Sequence, residues 1–105
     1  MTKVIVSGIE YPYLYGLQAM AIYERLTGEV FGVGPATRAT VAAHYSCLLA
    51  ADIDFPLSFE AFARAVDNKQ SLDALNEALK LEVERWNGMT PTSDEATKNK
   101  KKGKR

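Results

Sequence analysis

The chain has 105 residues, equal numbers of basic and acidic side chains, and a hydrophobic fraction of 47%. This length provides for one domain with a single modest core. A lone cysteine excludes an internal disulfide framework, and the N-terminus lacks the basic region and long apolar run of a secretory signal. These features favour one globular domain over residues 1–88, located in a reducing cytoplasm and without a membrane segment.

The first 15 residues predict a β-hairpin. A short β-branched run at residues 3–7 leads into Ser7 and Gly8, which favour a tight turn. The returning strand is predicted over residues 9–15, where Pro12 lacks a backbone donor and leaves the edge open. A two-stranded hairpin is marginal by itself, so we expect helices to pack against it. Whether the open edge pairs with another copy, in a homo-oligomer, is left open by the sequence.

Tyrosines recur at alternate positions of the second predicted strand. A period of two places Tyr11, Tyr13 and Tyr15 on the same face. Two interpretations stay open for this row. It is the inner face of the hairpin, or it is a contact surface for a partner, because tyrosine rings combine a large contact area with a polar tip.

The run ATVAAHYSCLLAA at residues 39–51 has no formal charge and predicts the central helix of the fold. Apolar and small residues occupy nearly its whole circumference, so other elements should surround it. It is too short to span a bilayer, which takes ~20 apolar residues. Pro35 lies just ahead of it and suits the first turn of a helix.

Three further helices are predicted around the central one. The first, at residues 17–27, should end at Gly28 in a left-handed conformation. The third should begin at Ser58, a good N-cap. The last is predicted over residues 72–87. The expected fold is therefore α+β and mostly helical, with an N-terminal β-hairpin followed by a small bundle of four helices.

The last predicted helix has Ser71 as its expected cap and carries an apolar stripe. In a bundle such a stripe is part of the core. If some of it stays exposed, it becomes a groove wall or an anchor for a partner helix. Residues of this stripe join two tyrosines of the hairpin as candidate partner-binding residues: Tyr11, Tyr13, Leu79, Val83 and Trp86.

Residues 89–105 follow Gly88, which is expected to end the last helix. They lack periodicity and large apolar residues after Met89, which predicts a disordered tail. The tail has a net charge of +4, against −4 for residues 1–88. Its basic side chains could neutralise phosphates, but no aromatic residue interleaves with them for base stacking. They are Lys98, Lys100, Lys101, Lys102, Lys104 and Arg105.

No arrangement of side chains points to catalysis, a metal or a cofactor. His44 and Cys47 share a helix face, but a tetrahedral metal site needs two more ligands and the chain has no other His or Cys. A Ser or Cys nucleophile would need His44 as its base, and the helical neighbours of His44 are apolar. Gly32 and Gly34 lack the preceding strand and third glycine of a dinucleotide site. We expect a non-enzymatic protein with a buried thiol and a histidine bonded to a nearby carbonyl.

The order of these elements resembles the tail assembly chaperones of long-tailed bacteriophages and prophages. The resemblance covers residues 4–87. It begins with a short strand, a glycine turn and E-Y-P at 4–12, followed by Y-G-L-Q-A-M-A-I-Y-E-R-L-T-G at 15–28. After the alanine-rich helix come D-F-P-L-S-F-E-A-F at 54–62 and a Leu- and Glu-rich final helix. The loop at 29–35 and the basic tail fall outside the shared pattern.

The resemblance implies a non-enzymatic assembly factor in the bacterial host cytoplasm. Such chaperones bind the long, helical tape measure protein and keep it soluble while tail-tube subunits polymerise around it. The tape measure protein and the tail-tube protein are therefore the implied partners. The alternative is a small intracellular adaptor or regulatory protein that binds nucleic acid through its basic tail, which steep salt sensitivity would reveal.

Overall fold

The computed structural model describes residues 2–89. An antiparallel hairpin of two strands, β1 and β2, precedes four helices, α1 to α4. The predicted fold class, mostly helical with an N-terminal hairpin, is confirmed. The predicted disordered tail lies outside the described residues, apart from the helical Met89. The elements are β1 (Lys3–Val6), β2 (Ile9–Pro12), α1 (Leu17–Thr27), α2 (Ala36–Ala51), α3 (Phe59–Ala65) and α4 (Lys69–Met89).

The hairpin turn is the two-residue turn that the sequence predicted. Ser7 and Gly8 both have positive φ angles, 52° and 78°. Positive angles at both central positions are those of a type I′ turn, whose twist matches that of the flanking strands. The register pairs Val6 with Ile9 across this turn.

The second strand ends at Pro12, three residues earlier than predicted. The Tyr13 N–H still bonds to the Thr2 carbonyl at 2.9 Å, but the next N–H, that of Leu14, bonds to the Cys47 carbonyl at 3.1 Å. The chain thus leaves the hairpin for the central helix. The pairing that places alternate tyrosines on one face therefore includes Tyr11 and Tyr13 but does not reach Tyr15.

The alanine-rich helix α2 is the centre of the fold, as predicted. Every residue from Ala42 to Leu48 is buried. Helix α1 packs along α2, α3 also packs against it, and α4 packs against β1. The apolar core joins both strands and all four helices. Among residues 2–89, no helix combines the length and apolar character needed to cross a membrane.

Helix ends follow the sequence signals in two cases. Gly28 has φ 77° and donates its N–H to the Glu24 carbonyl, which is the left-handed ending predicted for α1. The Ser58 hydroxyl accepts a hydrogen bond from the Ala61 N–H at 3.1 Å and caps α3.

The predicted limits of α4 are wrong at both ends. The helix begins at Lys69, and the cap is Asn68, whose Oδ1 accepts the Ser71 N–H at 2.8 Å. Ser71 therefore lies inside the first turn. Gly88 does not end the helix, which continues to Met89.

Candidate functional site

A groove runs between the N-terminal half of α2 and one flank of α4. It consists of two adjoining clefts, of about 400 and 240 Å³, which share Ala36 and Thr40 on the α2 side. On the α4 side it is lined by Leu72, Asn76 and Leu79. Their spacing of four and three residues places them on one helix face. We call this surface the α2–α4 groove.

The α2–α4 groove is uncharged. No Asp, Glu, Lys or Arg of the described chain lines either cleft, although a quarter of all residues are charged. Its walls are mostly small or aliphatic side chains, with Phe31 and the uncharged polar side chains of Thr37, Thr40, His44 and Asn76 among them. An uncharged groove between two helices fits the apolar face of a further helix, whose side chains would anchor at three- and four-residue spacing.

His44 lies at the base of the groove and is 1% exposed. The Tyr13 hydroxyl lies 2.6 Å from Nδ1, and the Asn76 Oδ1 lies 2.9 Å from Nε2. With Asn76 Oδ1 as an acceptor, the proton is on Nε2, and Nδ1 accepts the Tyr13 hydroxyl. Both ring nitrogens are satisfied in this neutral tautomer.

Burial sets the protonation state of this network. It lowers the pKa of His44, and the bond to Asn76 only partly opposes the shift. Burial also raises the pKa of Cys47 to about 12 and raises that of Tyr13. The thiolate, the form of cysteine that reacts or binds metals, is therefore absent near pH 7. The prediction of a buried thiol and a histidine bonded to a carbonyl, here that of the Asn76 side chain, is confirmed.

A second buried network surrounds Glu82, which is 2% exposed. Its carboxylate accepts the Thr2 hydroxyl at 2.8 Å and the Tyr15 N–H at 3.0 Å. Arg85 donates to it from Nε at 3.1 Å and from Nη2 at 2.9 Å. Burial works to raise the pKa of Glu82, but the hydrogen bonds outweigh it, and the pKa lies below its usual value. This network ties the N-terminus and the residues before α1 to α4.

One predicted partner-binding residue is in the core. Tyr13 is 0% exposed, so its prediction as a contact residue is wrong. Tyr13 lies on the inner face of the hairpin, which is the other interpretation of the tyrosine row, and its hydroxyl contacts His44. Tyr11 is half-buried and packs edge-to-face on Phe55, with ring centroids 4.8 Å apart. Tyr11 does not line the α2–α4 groove.

The three α4 residues of the predicted set are all half-buried. Leu79 lines the groove, and Val83 follows it by one turn on the same face. Trp86 packs edge-to-face with Tyr15 at 6.3 Å, and a Cβ on Gly16 would lie 3.5 Å from the indole. The structure thus brings Leu79 and Val83 together and directs Trp86 towards the residues before α1. The basic residues of the tail lie outside the described residues.

The sequence placed Leu72 and Leu79 on one apolar stripe but did not indicate Asn76 or the α2 side of the groove. Leu72, Asn76 and Leu79 have the spacing i, i+4, i+7, which marks one face of a helix. Asn76 interrupts the apolar stripe and so conceals that face. The α2 residues that line the groove could not be identified from the sequence, because every flank of that helix carries apolar or small side chains.

No potential metal-binding cluster of three or more His, Cys, Asp or Glu residues occurs within residues 2–89. Comparison of the chain with protein-family models, with curated proteins and with solved structures gives no match. The function is therefore inferred from the order of motifs along the chain and from the chemistry of the groove.

Proposed function

We propose that this chain is a non-enzymatic tail assembly chaperone of a long-tailed bacteriophage or prophage. It binds the tape measure protein and helps to recruit tail-tube subunits during tail morphogenesis in the cytoplasm of the bacterial host. It holds no cofactor and performs no reaction. The α2–α4 groove is its docking surface for a helix of the tape measure protein.

The order of motifs is the observation that carries the proposal. The segment at 4–12 coincides with the hairpin, that at 15–28 with α1 and its glycine ending, and that at 54–62 with the entry into α3. The Leu- and Glu-rich segment coincides with α4. Each motif of the resemblance therefore corresponds to one element of the fold.

The chemistry of the groove supports the same proposal. A long helical partner offers repeated apolar faces, and the groove offers an uncharged face about two helical turns long, from Leu72 to Leu79. Many copies that each bind weakly along one long helix gain avidity without tight single contacts. An uncharged groove of this length suits such weak, repeated binding.

Co-expression with the tape measure protein tests the proposal. We expect the two proteins to co-purify, and the double variant Leu72→Ser, Leu79→Ser, which changes two side chains that line the groove, to lower recovery about tenfold, equivalent to ~1.4 kcal/mol. The matched control is Ile53→Ser, which removes an equally apolar side chain that is 70% exposed and outside the groove. Circular dichroism establishes that each variant is folded.

Three outcomes separate the parts of the proposal. Loss in the groove variant with an unchanged Ile53→Ser control supports both the function and the site. Equal recovery of the unaltered protein and of all variants would rule out the groove as the binding site but would leave the proposed function standing. Failure of the unaltered protein to bind the tape measure protein contradicts the function itself. Binding of nucleic acid that weakens steeply with salt and disappears on removal of residues 90–105 would favour the alternative adaptor.

A further inference from the structure

Strand β1 presents an open hydrogen-bonding edge. In the observed register, Val6 pairs with Ile9 next to the turn, and Val4 pairs with Tyr11. The Tyr13 N–H to Thr2 carbonyl bond continues the same alternation. In such an antiparallel ladder these pairs exchange both backbone bonds, and the residues between them direct their N–H and C=O groups outwards. The outward groups of β1 are therefore those of Lys3 and Ile5.

The two edges of the hairpin are not equivalent. On β2, the residue opposite Lys3 is Pro12, which has no N–H to offer another strand. On β1, both outward residues keep donor and acceptor. Within the described residues the sheet has only these two strands. An unprotected edge of this kind is a template for another strand.

A groove of about 680 Å³ follows this edge, between β1 and the junction of α3 and α4. We call it the edge groove. The helices line it with short or uncharged side chains, among them Ala65, Ser71 and Ala74. Among the described residues that line it, only Lys3 and Glu10 are charged, and they neutralise each other in an ion pair of 3.7 Å. A further strand would therefore meet no net charge.

An exposed apolar side chain lines the edge groove. Ile5 is 63% exposed and does not pack into the core of the described domain. Covering it with another strand would remove apolar surface from water.

We propose that β1 pairs with β1 of a second copy of this chain, antiparallel and centred on Val4. Lys3 then exchanges backbone hydrogen bonds with the partner's Ile5, and Ile5 with the partner's Lys3, in one four-stranded sheet. The exposed Ile5 packs on the aliphatic stem of the partner's Lys3. This interface is independent of the α2–α4 groove and of the proposed function.

We take the occupant to be a second copy, because the antiparallel register centred on Val4 gives every outward donor and acceptor of Lys3 and Ile5 a partner on the other copy. A two-fold contact brings the same surface of each copy together, so unpaired like charges would repel. Here the ion pair of Lys3 with Glu10 leaves the edge without net charge. Lys69 and Asp73 at the start of α4 are also paired, at 2.7 Å.

Analytical ultracentrifugation of the full chain is the first test. Pairing over three residues, Lys3 to Ile5, is a small interface, so we expect a weak dimer with a dissociation constant of about 0.1 mM. Ile5→Pro removes the outward N–H without touching a bond of the hairpin, as Pro12 does on β2. We expect it to weaken dimerisation at least tenfold, whereas Ile5→Thr, which keeps the N–H, should retain the dimer. A protein that stays monomeric at 1 mM (about ten times the expected constant), or an Ile5→Pro dimer of unchanged strength, overturns the proposal.

Cross-linking gives a second test that does not depend on proline. Lys3→Cys and Ile5→Cys are prepared separately, mixed and oxidised. Paired residues lie within disulfide reach, and the native Cys47 is fully buried, so it does not compete. We expect the mixed dimer to exceed both homodimers. No covalent dimer, or no preference for the mixed one, contradicts the proposed register and with it the interface.

Discussion

Two buried polar networks hold α4 to the rest of the fold, and they differ in charge. The network of Tyr13, His44 and Asn76 is neutral, and each ring nitrogen needs one partner. The network of Glu82 is ionic, and its carboxylate takes bonds from three residues. A buried charge that loses its partners costs more than a buried neutral atom does. Disruption of each network should therefore lower the free energy of unfolding by a different amount. Acid should also weaken the two networks in different ranges of pH.

Removal of the carboxylate should have the largest effect. We expect Glu82→Ala to lower the free energy of unfolding by about 2–3 kcal/mol, because the Tyr15 N–H, the Thr2 hydroxyl and Arg85 lose their acceptor. The partial exposure of Arg85 keeps the cost below that of a fully buried pair. Urea unfolding measures it. Glu84→Ala, on the exposed face, is the control and should change stability by less than about 0.5 kcal/mol. Equal effects of the two variants would contradict the ionic network.

Removal of one hydroxyl should break the neutral network at lower cost. Tyr13→Phe leaves the buried Nδ1 of His44 without a donor, and we expect a loss of about 1–2 kcal/mol in urea unfolding. Tyr11→Phe is the matched control, since the Tyr11 hydroxyl makes no hydrogen bond within residues 2–89. It should be nearly neutral. A Tyr13→Phe variant as stable as its control would show that the hydrogen bond to His44 contributes nothing.

Acidification should separate the networks by pH. The pKa of His44 is lowered from 6.5, so the unfolded chain takes up a proton first as pH falls below 6.5. The contribution of neutral His44 to the free energy of unfolding is therefore fully present above pH 6.5. Below that value it falls by up to about 1.4 kcal/mol per pH unit. The pKa of Glu82 is also lowered, from 4.5, so its contribution is lost only as pH falls below 4.5 towards its folded value.

Unfolding measured between pH 7 and pH 5 checks this separation. We expect His44→Gln to flatten the dependence on pH in that window, whereas Glu82→Gln leaves it unchanged there. Below pH 4.5, Glu82→Gln should flatten the dependence as well. A His44→Gln variant with the original slope would show that another group titrates.

The smallest effect on stability is expected at the N-terminus of α4, the helix that both networks hold. Asn68→Ala removes the cap of α4 and should cost about 1 kcal/mol in thermal or urea unfolding. Ser71→Ala, inside the first turn, should change stability by less than about 0.5 kcal/mol. Similar losses for both would show that the two residues share the capping role. Neither change should alter the pH dependence above.

Local signals predicted most of the fold, because they act over a few residues. The turn at Ser7 and Gly8, the glycine ending of α1 and the serine cap of α3 all depend on short-range geometry. The uncharged run of α2 indicated burial in the same direct way. His44 could be assigned to the core because its helical neighbours are apolar.

The remainder depends on contacts between distant residues. Glu82 occupies a core position at the apolar spacing of α4, but a glutamate in a helix is ordinarily exposed. Its burial follows from partners at Thr2 and Tyr15, which no pattern in α4 reveals. Strand alternation placed Tyr13 on one face with Tyr11, but it does not show whether that face is covered, and here His44 of α2 covers it. The α2–α4 groove could not be predicted from local patterns, because it forms between two helices that α3 separates in the sequence.

The central claim is that the α2–α4 groove binds a helix of another protein, and methyl NMR of the complex with the tape measure protein tests it most directly. Saturation of the unlabelled partner transfers to methyl groups that touch it. We predict transfer to Leu72, Leu79 and Val41, and none to the exposed methyl groups of Ile53 and Leu26. Transfer to Ile53 or Leu26, with the groove methyl groups unaffected, would contradict the account.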